Sequence, residues 1–111
     1  MKTQSAKAKG RNLQKWVRDL ILESFPALEP DDVRSTSMGA GGEDVQLSPA
    51  ARKCFPYSVE CKNVEKLNVW AAYEQAEANS GDYEPLLIMK KNRKKPLVVM
   101  DAETFINLTK L

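Results

Sequence analysis

Early in the chain, Leu13, Trp16, Val17, Leu20 and Ile21 recur at helical spacing and predict a helix over about residues 12–24. Phe25-Pro26 closes it, since proline disfavours helical geometry at the residue before it. A turn-like stretch over 28–32 leads to a short strand at 33–35. Val45 and Leu47, then Val59 and Cys61, alternate with polar residues and predict two central strands at 45–47 and 57–61. The connection between them, residues 48–53, has room for a helical turn. A second helix is expected over about 66–79, with Leu67, Trp70, Ala71 and Ala78 inward and Gln75 bordering that face. Asn79-Ser80-Gly81-Asp82 stops it. The apolar runs 86–89 and 97–100 read as buried strands joined by a basic hairpin loop, and Asp101 caps a last helix over about 102–110. Core packing is the default expected for Trp16 and Trp70.

Helix, three strands, helix, two strands, helix describes an α/β fold with a mixed central sheet flanked by helices. The 111 residues suit one domain with one modest core. Residues 1–8, polar and lysine-rich, read as a mobile basic tail, and 9–111 as the folded domain. No run has the length of a membrane-spanning helix and no leader pattern is evident, so the expected setting is soluble and cytoplasmic, without a membrane partner. Cys54 and Cys61 make no disulfide framework. The chain has no histidine, which removes the commonest general base and the usual hydrolase triads. Hydrolytic chemistry would have to rest on carboxylates, lysine and a metal.

Alternation supplies such a set. Asp44 and Gln46 lie opposite Val45 and Leu47; Glu60 and Lys62 lie opposite Val59 and Cys61. If the two segments pair, Asp44, Glu60 and Lys62 converge, and two carboxylates with an ammonium can hold a divalent metal and activate water for phosphodiester cleavage. Before Asp44, residues 35–42 are small and glycine-rich, so backbone and the Ser35 and Ser37 hydroxyls can approach a phosphate, with Arg34 beside them. Net charge is only +2, but it is unevenly spread. Lys2, Lys7, Lys9, Arg11, Lys15 and Arg18 form one cluster without an acid, and Lys90, Lys91, Arg93, Lys94 and Lys95 another. Two such clusters can flank a phosphate backbone.

This ordered set resembles the PD-(D/E)xK nuclease superfamily, and in particular the small Holliday junction resolvases of archaeal and phage type. The resemblance runs from Lys9-Gly10-Arg11 at the first helix, through the glycine-rich loop ending in Asp44, to Glu60-Cys61-Lys62. It implies a restriction-endonuclease-like core and Mg²⁺ (Mn²⁺ substituting) held by Asp44, Glu60 and the Cys61 carbonyl. It further implies a catalytic set of Asp44, Glu60, Lys62 and Gln14, a branched or four-way DNA substrate and a homodimer. A phage source would put the protein in the host cytoplasm. Gln14 stands where the family carries a first-helix acid; Glu23 is a weaker substitute, and Gln75 is a further candidate for orienting water. The competing expectations are a nicking, repair or restriction-like nuclease of the same fold, and a DNA-binding module without turnover.

Overall fold

The computed structural model describes residues 3–36 and 42–110. Helix α1 spans Thr3–Ser24; a 3-10 turn at Pro30–Asp32 precedes strand β1, Val33–Ser35. β2 (Val45–Leu47), α2 (Pro49–Cys54), β3 (Tyr57–Asn63), α3 (Val69–Ala78), β4 (Glu84–Lys90), β5 (Leu97–Val99) and α4 (Ala102–Leu108) follow. The five strands form one sheet in the order β1-β2-β3-β4-β5. β3 and β4 pair in parallel, with α3 as their crossover, and the other neighbours are antiparallel. The mixed α/β architecture expected from the alternation is therefore what the chain adopts. No helix among the described residues is long and apolar enough to cross a membrane.

One face of the sheet carries the main core. Leu13, Val17 and Ile21 of α1 pack with Val33, Val45, Val59, Cys61 and Ala51. These α1 residues repeat every four positions, which puts one stripe of the helix on the sheet. On the opposite face of β3 and β4, Glu60 pairs with Leu87, which is fully buried. There α3 presents Ala72 and Ala76, both buried, and small side chains let the helix sit close to the strands.

Several expected positions shift. α1 begins at Thr3, so residues 3–8, anticipated as a mobile tail, are helical. Ala6, Lys7, Ala8 and Lys9 are good helix formers, while periodicity registers only the part of a helix that touches the core. Trp16 and Leu20 are about half exposed at 47% and 46%, and Trp70 is 80% exposed, so neither tryptophan is a core residue. α3 rolls about its axis relative to expectation: Ala72 and Ala76 face inward, and Ala71, Gln75 and Ala78 are exposed. β5 is an edge strand rather than a buried one, with Leu97 and Val98 more than half exposed, because it pairs on one side only, with β4.

Candidate functional site

β2 and β3 meet at a single register position, Val45 opposite Val59. One step further along that register, Asp44 comes to Glu60. Asp44 lies just outside β2, and its side chain continues the bonding between the strands. Its backbone N–H donates to the Val59 carbonyl at 3.0 Å, and its Oδ2 accepts the Cys61 N–H at 2.7 Å. In a strand, the N–H and C=O of one residue point to the same neighbour. The Cys61 carbonyl is therefore directed to the Asp44 side as well. Gly42, two residues earlier, has φ +87°, a left-handed conformation that favours glycine and turns the chain into this position.

Glu60 is 3% exposed, and its Oε2 lies 3.5 Å from the Lys62 ammonium. Asn79, at the C-terminal end of α3, donates weakly to Glu60 Oε1 at 3.4 Å. Burial pushes the Asp44 carboxyl above its ordinary range, against the lowering effect of the Cys61 N–H and of Lys62. Burial raises Glu60 too, and the Asp44 charge raises it further. Two carboxylates thus repel each other in a partly dry site with one lysine, a donor set of hard oxygens that suits Mg²⁺. Two carboxylates one register step from the Val45–Val59 pair are hard oxygen donors, so the chemistry of the residues present fits the implied metal. The Cys61 thiol does not belong to the set. It packs in the core, and burial together with the Asp44 and Glu60 charges pushes it up and keeps it protonated. Among the described residues, no group of three or more His, Cys, Asp and Glu side chains is arranged to hold a metal.

The remaining expected residues divide. Gln14 is 3% exposed and lies on the buried side of α1 with Leu13 and Val17. Glu23 and Gln75 are exposed. Lys9 and Lys90, read as belonging to separate clusters, come together at the end of β3. Asn63 pairs with Lys90 across the parallel ladder, and its Nδ2 donates to the Lys9 carbonyl at 3.3 Å. Lys91, Arg93, Lys94, Lys95 and Arg11 are exposed. Arg34 faces solvent beside Asp31 at 3.6 Å, Ser35 closes β1, and Ser37 lies outside the described residues. Asn79 and Arg52 were not anticipated. Asn79 reads in sequence as a helix-stop signal, and only the α3 crossover brings it to Glu60; Arg52, in a connecting segment, bonds to Glu43 beside Asp44. Comparison with family models, with curated proteins and with solved structures finds no match to this chain.

Proposed function

We propose that this protein is a Mg²⁺-dependent endodeoxyribonuclease of PD-(D/E)xK type that acts on branched DNA as a Holliday junction resolvase. The observation that carries the reading is the Asp44–Glu60–Lys62 constellation: an Asp at the edge of one strand, docked on the N–H within the neighbouring strand's Glu-x-Lys triplet at 2.7 Å. Asp44, Glu60 and the Cys61 carbonyl would hold Mg²⁺, with Mn²⁺ as a substitute. When bound, the ion supplies charge stabilisation at the scissile phosphate and a more acidic water. The Lys62 side chain is 30% exposed, so its ammonium can meet a phosphate oxygen while Glu60 retains it. Its ammonium lies 3.5 Å from Glu60 Oε2, beside the two carboxylates, which suits Lys62 to electrostatic stabilisation of the reacting phosphate. Asn79 donates weakly to the other oxygen of Glu60. Lys9 and Lys90 lie at Asn63, one residue beyond Lys62, and with the exposed basic residues of 91–95 they would offer contacts to the DNA backbone. One site cuts one strand, so resolving a junction calls for a homodimer.

Gln14, buried and uncharged on α1, favours one second reading: a DNA-binding module of this fold without turnover. A nicking assay with Mg²⁺ or Mn²⁺ on four-way, nicked and linear DNA separates the two. The wild type nicks, whereas Asp44→Asn and Glu60→Gln bind DNA and do not. Normal nicking by both variants removes the site assignment. Binding without nicking by the wild type in either metal leaves the silent module.

A further inference from the structure

We infer that Arg52 is a positioning residue that holds Asp44 in place through Glu43, the residue before it. The inference rests on the reading of Asp44 and Glu60 as the metal-holding pair. Asp44 lies outside the regular β2 ladder, so its position depends on contacts made by its own segment. Thr36, 8% exposed, holds the backbone there: its N–H donates to the Asp44 carbonyl at 2.9 Å and its hydroxyl to the Glu43 carbonyl at 2.6 Å. Arg52 holds the side chain. Its Nη2 donates to Glu43 Oε1 at 2.5 Å, and both side chains are largely buried, at 15% and 16% exposure.

The other half of the Arg52 fork reaches the opposite strand. Nη1 donates to the Tyr57 carbonyl at 3.0 Å, and the guanidinium lies 4.2 Å from the centre of the Tyr83 ring. Tyr57 opens β3, the strand that carries Glu60. Arg52 therefore spans from the Asp44 segment to the Glu60 strand and braces itself on the chain after α3. A planar fork can make both bonds at once and stack on an aromatic ring; a lysine ammonium cannot. The largely buried pair also resists competition from water and salt better than a surface ion pair. Displacing the Asp44 carboxylate relative to Glu60 would widen the gap that a small cation has to close, and Mg²⁺ tolerates little departure from its preferred distances.

The test uses the full chain with Glu43→Gln and Arg52→Lys, which remove the charge or the fork without removing bulk. Each should raise the Mg²⁺ concentration for half-maximal nicking of a four-way junction by about 10- to 100-fold, the usual effect of losing a group that supports a metal ligand. Each should also shrink the rise in thermal midpoint that Mg²⁺ produces without DNA, while the far-UV circular dichroism stays as in the wild type. The double variant should lose less than the two single effects added together, because the Glu43–Arg52 bond is common to both. Wild-type Mg²⁺ dependence in both variants would overturn the inference. So would a loss of nicking that is equal at all Mg²⁺ concentrations and follows a lower midpoint, since that is a stability effect. Asp44→Asn serves as the reference. If it keeps both nicking and Mg²⁺ stabilisation, the site reading fails; if it loses both while the Arg52 and Glu43 variants are unchanged, only the Arg52 inference fails.

Discussion

Asp44 and Glu60 face each other across the strand pair with both carboxyls held above their ordinary range, chiefly by burial. A raised folded-state pKa means that the native protein retains protons the unfolded chain has already released. The associated stability is fully present below the ordinary carboxylate range, about pH 4, and is lost as pH rises through the raised values. Metal-free protein should therefore lose stability as pH increases from the ordinary to the raised range. Asp44→Asn, which keeps an oxygen for the Cys61 N–H but removes the repulsion, should flatten that slope. At neutral pH in EDTA it should be more stable than wild type by something on the order of 1 kcal/mol. Thermal unfolding in EDTA and in Mg²⁺ checks this, and the advantage should disappear when Mg²⁺ is present. A less stable Asp44→Asn in EDTA would mean that the hydrogen bond to Cys61 outweighs the repulsion. Lys62 gives a second expectation at this scale. Lys62→Ala should depress turnover far more than DNA affinity, as measured by single-turnover nicking and by titration, because an ammonium at the reacting phosphate acts in the transition state.

Among the elements, the short α2 matters beyond its length, because it delivers Arg52. Ser48 caps it by accepting the Ala51 N–H at 3.1 Å, and its hydroxyl donates to Asp32 Oδ1 at 2.7 Å, tying the helix to the turn before β1. Ser48→Ala should cost about 1 kcal/mol in denaturant unfolding, the usual effect of losing such a cap. It should also weaken Mg²⁺ stabilisation, since α2 carries the clamp on Glu43. α3 shows why element-level reading of the sequence falls short in places. Ala71 and Ala78, or Ala72 and Ala76, are equally small and apolar, and nothing in the local sequence says which pair meets the strands. The sheet decides: α3 packs on β3 and β4 with Ala72 and Ala76 buried, Gln75 exposed and Asn79 reaching Glu60. By contrast Asp101, expected as the cap of α4, accepts the Thr104 N–H at 2.9 Å, because a cap depends only on residues within one turn.

For the whole molecule, Lys9 and Lys90, one from each basic cluster, come to one end of the sheet, where Asn63 joins Lys9 to the start of the β4–β5 hairpin. Neutralising Lys91, Arg93, Lys94 and Lys95 together should weaken DNA binding and flatten its dependence on salt, because fewer counterions are displaced. Binding titrations at several salt concentrations check this. On a four-way junction the wild type should place paired, symmetric nicks and prefer the junction to a linear duplex of equal length, as a two-fold dimer requires. Equal affinity for both substrates, or nicks on one strand only from a monomer, would remove the resolvase reading and leave the metal nuclease reading standing.

The strands, the Asp101 cap and the alternation that sets Asp44, Glu60 and Lys62 apart from Val45, Val59 and Cys61 were legible in the chain, because each depends on neighbours within a few residues. So was the mixed α/β order, since the apolar runs and their helical interruptions follow one another along the sequence. The start of α1 was not, because its first turns lie beyond the core and leave no apolar period. The exposure of Trp16, Trp70, Leu97 and Val98 was not legible either, since burial is decided by which element lies opposite and not by the residue itself. The approach of Asn79 to Glu60 and the joining of Lys9 to Lys90 through Asn63 span elements distant in the chain, and the reach of Arg52 from Glu43 to Tyr57 spans separate elements although the residues are near in sequence. The parallel crossover of β3 and β4 brings Asn79 to Glu60 and Lys90 to Asn63, and the pairing of β2 with β3 sets Glu43 and Tyr57 within reach of Arg52.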